Sequence, residues 1–568
     1  MGSYEEPESN WRKVAARRRQ EIEAAIPESY RVPESLLEGH NHIDLPYRSK
    51  LMSPRELQIT EHRAVDLVRL LRERTYTAVE VTTAFCKRAA IAHQATNCLA
   101  AVLFDEALKD AAALDDYMQV HGKPKGPLHG LPISVKEHIY LAGTFATSGL
   151  IAWADSLSPG DALIVKVFRD AGAVFHVKTT NPQTLMAIET ESNLYGRTVN
   201  PYNTNLTSGG SSGGEGSLIA MRGSVLGIGT DIGGSIRVPS AFCGLYGLKA
   251  SVARLPHSGL SGLHNGMQNI IGCVGPIATC IADLRLFCET ALAANPWDHE
   301  PSLIEIPWRT EHIQPPLNQK LVIGVMWNDG VVQPHPPLTR ALRNAVAALK
   351  AAGHTVIDWD PKLHAALAEA ASRAYFLDGG REYTETLAAV GEPPVPAIKW
   401  LLESQTGKPY TVEETWKLNN TLFALQKAYT AQWTTQSLDV LLTPPNPSLA
   451  TPITPAPKPP NKYWSYTSVF NALDYVAAVF PTGTTVQESD TWSQVESGNG
   501  NGNEILSDMD REMRMLYPEG GEGPKRYRDA PISLQVVGRR LREEKLLGFM
   551  ECVEGAVRGS SSGSGVEL

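Results

Sequence analysis

Residues 208–240 read SGGSSGGEGSLIAMRGSVLGIGTDIGGSIRVPS, and no other stretch restricts the possible folds of this chain as strongly. A flexible Gly/Ser linker has no apolar stripe, yet here Leu218, Ile219 and Met221, then Val225, Leu226 and Ile228, are interleaved with the glycines. The run is therefore packed. Packed glycines mark places where backbone turns sharply or approaches another group closely, and the serines beside them are candidate nucleophiles or hydrogen-bond relays. The working part of the molecule is expected here.

The flanking pattern sets the architecture. Short apolar runs at 99–104, 131–135, 173–178, 224–229, 321–325 and 438–442 predict strands, with helical stretches of ten or more residues between several of them. Ala64, Leu67, Val68 and Leu71 fall on one helix face, a second helix is expected over 77–93, and a closing helix over 541–557 follows a strand carrying Ile532, Leu534 and Val536. Such alternation predicts an α/β class protein, a single large α/β/α domain around a buried sheet. Residues 1–52 read as an N-terminal helical and loop arm, 53–558 as the domain, and 559–568 as a disordered tail. The polar stretch 487–528, with its ESGNGNGNE segment, reads as an exposed insert.

Composition narrows the function classes. With 568 residues, 42% of them apolar and 20% charged, a large core is available. The net charge of −9 argues against a nucleic-acid partner. No window holds the ~18 apolar residues that a membrane span requires. Cys86, Cys98, Cys243, Cys273, Cys280, Cys288 and Cys552 are scattered without paired spacing, and the first twenty residues carry acidic side chains and no apolar core of a signal peptide. Both features predict a cytoplasmic protein.

Familiar motifs fail on the Gly-Ser run. GGSSGGEGS has no lysine, so it is not a phosphate-binding loop, and Ile232 replaces the third glycine of a dinucleotide fingerprint. His40 and His42 lack further metal ligands at suitable spacing. GGSSG around Ser211 fits a GxSxG elbow literally, but the preceding NPYNTNLT is turn-forming where an elbow needs an apolar strand. A serine with a lysine base is the remaining scheme, and it needs a desolvated lysine. Lys136 ends the apolar run in LHGLPISVKEH. Most lysines at strand ends are simply solvated, so spacing alone does not choose between these schemes.

The whole pattern does more. LHGLPISVKEH, NPYNTNLTSGGSSGGEGSLIA and GIGTDIGGSIRVPSAFCGLYGLK, with VGPIATCIADL and the closing ISLQVVGRRLREEKLL, resemble in order the amidase signature family. The resemblance runs from about residue 53 to about 557, and TLMAIETESNLYGRTVNPYN, PWR at 307–309 and PHPPL at 334–338 are most similar to its fungal acetamidase branch. It implies a mixed, twisted central sheet covered by helices, and amide hydrolysis by a Ser-Ser-Lys triad without metal or cofactor. Residue by residue, it implies Ser235 as nucleophile, Ser211 as bridging serine after a cis Gly210-Ser211 bond, and Lys136 as base. Backbone N–H groups of Ile232, Gly233, Gly234 and Ser235 are expected to form the oxyanion hole.

Ser212 is expected to order its loop, and Thr230, Asp231 and Arg237 to brace the site, with an Asp231–Arg237 ion pair as plausible as substrate contact. Strand alternation argues against a catalytic role for His138, and Cys243 reads as a small core residue. The expected partner is a small-molecule carboxylic amide. A bulkier secondary metabolite or an indole-3-acetamide-type amide is an alternative substrate. Relatives that pass ammonia to a misacylated tRNA within a complex suggest an amidotransferase subunit, against which the acidic balance and fungal-type segments weigh. A homodimer is common in the family, and 257–271 is a candidate wall of the acyl pocket.

Overall fold

A computed structural model describes residues 10–313, 320–405, 407–453, 463–495 and 504–559. Eleven strands form the central sheet: β1 (Leu99–Val102), β2 (Pro132–Lys136), β3 (Val174–Thr179), β4 (Leu226–Asp231), β5 (Tyr246–Lys249), β6 (Cys273–Ala278), β7 (Val322–Val325), β8 (Thr355–Asp358), β9 (Val440–Thr443), β10 (Val476–Thr485) and β11 (Pro531–Gly538). Their spatial order is β1-β3-β2-β4-β6-β5-β10-β11-β9-β7-β8. The sheet is mixed. β2 runs parallel to β3 and β4, and β7 parallel to β8 and β9, whereas the central β6, β5, β10 and β11 pair antiparallel with their neighbours.

The strand that ends in the Gly-Ser run begins two residues later than the apolar pattern predicts. Ser224 and Val225 precede it, and Thr230 and Asp231 form its last two positions. Both faces of β2, β3, β4 and β6 are buried, as expected where helices cover a sheet on both sides. The chain's last strand, β11, returns to the middle of this sheet between β10 and β9.

Helix boundaries follow local chemistry. Helix α1 (Asn10–Ala24) docks through Ala15 and Ile22, and the Arg18 guanidinium donates to Ala154 O at 2.8 Å, so the N-terminal segment lies against the body. Helix α2 (Ala78–Thr96) starts with a Thr77/Glu80 capping box, in which each side chain satisfies the other's backbone N–H, and ends at Asn97 in the left-handed region. Helices α3 (Gly213–Ala220) and α4 (Arg237–Phe242) are both buried and follow the two serine-bearing turns. Helix α5 (Ser465–Ala472) packs nearby, and α6 (Glu543–Gly559) closes the fold.

Two expectations are corrected. Residues 487–528 are not an exposed insert: Trp492, Met513, Tyr517 and Tyr527 are buried in an apolar cluster, and two short helices, Asp508–Arg514 and Glu522–Arg526, lie within the stretch. Aromatic residues spaced far apart among polar ones gave no periodic signal, and burial came from distant partners. Residues 200–207 are likewise not a simple turn, since Asn203–Thr207 pairs with Val199–Asn200 as a small ribbon. Residues 496–503 and 560–568 lie outside the described residues.

Candidate active site

The apolar side chains of Ile133 and Val135 drive β2 into the core, and the strand carries Lys136 with it. Lys136 is wholly buried, and its Nζ lies 2.7 Å from Ser211 Oγ and 2.9 Å from Thr230 Oγ1. Burial disfavours the ammonium form and brings its pKa down to about 7, although Asp231, Glu215 and Glu137 pull the other way. A substantial neutral fraction near neutral pH follows. The Glu137 side chain faces away from this contact, accepting from the N–H groups of Thr147 and Ser148 at 2.6 and 3.0 Å.

Ser211 follows a cis peptide bond from Gly210. A Cβ on Gly210 would stand 2.3 Å from Glu189 O, so only glycine fits there. Ser235 occupies the turn between β4 and α4, and its carbonyl accepts from Ser212 N at 3.1 Å. That bond ties the two halves of the Gly-Ser run together. Ser211 and Ser235 line one pocket of about 190 Å³. Among the described residues, Ser235 Oγ has no hydrogen-bond partner, so its hydroxyl is not committed to a neighbour. Ser212 Oγ donates to Thr230 O at 3.3 Å.

The turn before Ser235 is held by a buried ionic frame. Asp231 and Arg237 form an ion pair at 2.9 Å with both side chains fully buried, and Asn471 of α5 hydrogen-bonds both. The Arg237 charge outweighs burial and holds the Asp231 carboxyl well below the usual range. Asp231 Oδ1 also accepts from Gly234 N at 2.9 Å, and Oδ2 from Ile236 N at 3.1 Å. This corrects the expected oxyanion hole. The Gly234 N–H is occupied, because the carboxylate that braces the turn takes it. Among the described residues, the N–H groups of Ile232, Gly233 and Ser235 have no acceptor.

Two further hydroxyls set the peptide planes of this turn. Tyr375 donates to Ile232 O at 2.6 Å and Thr467 Oγ1 to Gly233 O at 2.7 Å. Gly234 has φ +140°, and a Cβ there would meet Thr467 Oγ1 at 2.4 Å. Tyr375, Thr467 and Asn471 come from far downstream, and no local pattern marks them. Glu215 could have been noticed as a lone acid within packed glycines: it is buried, accepts from Ser134 and Thr179 at 2.5 and 3.0 Å, and is pushed up to about 8 by desolvation.

His138 meets the base after all. β2 ends at Lys136, and residues two apart share a side, so Lys136 and His138 both reach Thr230 Oγ1, the latter from Nε2 at 2.9 Å. The segment 257–271 supplies a wall of the pocket through Leu260, Leu263, Met267 and Ile270, opposite Met186, Tyr375 and Tyr383. Cys243 is buried and apolar in its surroundings, and desolvation raises its thiol pKa far above the usual value. His40 lies beside Asp529 at 3.3 Å, away from this site's residues.

The family model described as "Amidase" matches residues 80–547. The acetamidase of Emericella nidulans is 40% identical over 552 residues, covering 95% of this chain and 97% of that one. The acetamidase of Aspergillus oryzae is 39% identical over 557 residues, covering 96% and 99%. Among solved structures, fatty acid amide hydrolase superposes with a TM-score of 0.90 at 31% identity, covering 96% of this chain and 95% of that one. A mixed sheet of this extent, with these relatives, defines an amide-hydrolysing enzyme. The chain belongs to the amidase signature family. No helix among the described residues is long and apolar enough to cross a membrane.

Proposed function

We propose that this enzyme hydrolyses a small aliphatic or aromatic carboxylic amide to acid and ammonia through an acyl-enzyme on Ser235. The observation that carries the reading is the wholly buried Lys136 Nζ, 2.7 Å from Ser211 Oγ, beside the pocket that Ser235 lines. Neutral Lys136 accepts the Ser211 proton as Ser211 takes that of Ser235, whose Oγ attacks the carbonyl carbon. The negative oxygen so formed is received by the free N–H groups of Ile232, Gly233 and Ser235. As the C–N bond breaks, the proton returns through Ser211 to the leaving nitrogen. Water then attacks the ester by the same relay, releasing the acid and restoring Ser235.

The acetamidase relatives support a short acyl group. The apolar and aromatic lining of the pocket favours a second reading, an amide with a bulkier apolar acyl group. A reducing, cytoplasmic setting suits the seven unpaired cysteines, five of them buried. Ser235→Ala is expected to abolish both turnover and acyl transfer to hydroxylamine, while retained turnover would sink the acyl-enzyme. Comparison of acetamide, benzamide, indole-3-acetamide and a long-chain acylamide decides between the substrate readings.

A further inference from the structure

We propose that His138 is a positioning residue that aims the lone pair of Lys136 at Ser211 by fixing the hydroxyl hydrogen of Thr230. The inference rests on the reading of Lys136 as base. His138 Nδ1 lies 2.8 Å from the Ser261 carbonyl, and a carbonyl only accepts, so Nδ1 carries the hydrogen. Desolvation keeps the ring neutral, which leaves Nε2 as an acceptor. The group 2.9 Å from Nε2 is Thr230 Oγ1, so the single Thr230 hydroxyl hydrogen is committed to His138. Thr230 can then only accept from Lys136, 2.9 Å away on its other side.

The consequence falls on the base. A neutral lysine has two N–H bonds and one lone pair. With one N–H drawn to Thr230, the lone pair is left for Ser211, 2.7 Å away. Without His138 the Thr230 hydroxyl is free to donate to Lys136 instead, and it then competes with Ser211 for the same lone pair. Both ends of this chain are enclosed, since His138 is 4% and Thr230 8% exposed. The far end is anchored in the pocket wall: Ser261 N donates to His138 O at 2.9 Å, and Leu260 bridges Ile139. Base orientation and the substrate wall are thereby held by one strap of backbone.

Kinetics of His138→Ala, Thr230→Val and the double variant, on acetamide or on benzamide if that is turned over faster, test the proposal. His138→Ala should lower kcat about ten- to a hundredfold with KM changed less than about threefold. The double variant should be no slower than Thr230→Val alone, because both changes break one chain. His138→Gln, whose amide oxygen can accept the Thr230 hydrogen, should recover most of kcat. His138→Phe, which keeps the ring volume, replaces the alanine variant if the latter does not fold. An unchanged kcat, a loss confined to KM, or effects that multiply in the double variant would overturn it. Full turnover by Ser235→Ala marks the separate failure of the underlying mechanism, and the positioning role falls with it.

Discussion

Lys136 Nζ and Ser211 Oγ stand 2.7 Å apart, with Lys136 fully buried and Ser211 only 2% exposed. A lysine in such a place is not a solvated strand end. It stays there because Ser211 and Thr230 satisfy its nitrogen, and because its proton affinity has fallen until neutrality is affordable at ordinary pH. The pair belongs to two segments joined only through the fold, one at the end of β2 and the other before α3.

Lys136→Ala and Ser211→Ala are each expected to lower kcat by about a thousandfold or more, and the double variant by no more than the worse single one. Members of one relay lose their effect together. Additive losses in steady-state assays would show that the two side chains act separately.

The pH dependence follows from the sign of the Lys136 shift. Its pKa is depressed from 10.5 to about 7, so the neutral base predominates above about 7 and the ammonium form below. On an uncharged amide, kcat/KM should therefore rise about tenfold per pH unit below that point and level off above it. A limb centred near the ordinary lysine value instead would show a base that is not desolvated.

Gly234→Ala should inactivate the enzyme by about a hundredfold or more, since its Cβ would meet Thr467 Oγ1 at 2.4 Å in a backbone conformation that disfavours side chains. Thr467→Val removes only the bond to Gly233 O and is expected to cost about tenfold in kcat with little change in KM. Equal effects from the two would place the sensitivity elsewhere than in the peptide planes of the turn.

Arg237→Met leaves the Asp231 carboxylate buried without its cation. A loss of about 3–5 kcal/mol in stability is expected, read as a lowered urea midpoint. Asn471→Ala keeps the ion pair and should cost about 1–2 kcal/mol.

Met267→Trp adds bulk to the wall opposite Met186 without touching the relay. It should lower kcat/KM for indole-3-acetamide or a long-chain acylamide by about tenfold or more while leaving acetamide within about threefold. Equal losses on all amides would mean that the acyl group lies elsewhere.

Some of this was written locally in the chain. The apolar runs place β2, β3 and β7 to within a residue or two, because a strand buried on both faces needs an unbroken apolar stretch. Packed glycines announced the turns at 208–212 and 232–235, because only a residue without Cβ allows backbone to pass so close, as at Gly210 and Gly234. Lys136, Ser211 and Ser235 each stand in a local pattern. The tertiary structure alone decided which groups those residues meet. Gly234 lost its free N–H to Asp231, His138 gained Thr230, and Tyr375, Thr467 and Asn471 reached the turn from more than a hundred residues away. The physical reason is that chain-local chemistry governs turns and strands, whereas desolvation and the choice among hydrogen-bond partners depend on everything packed around a group, most of it distant in sequence.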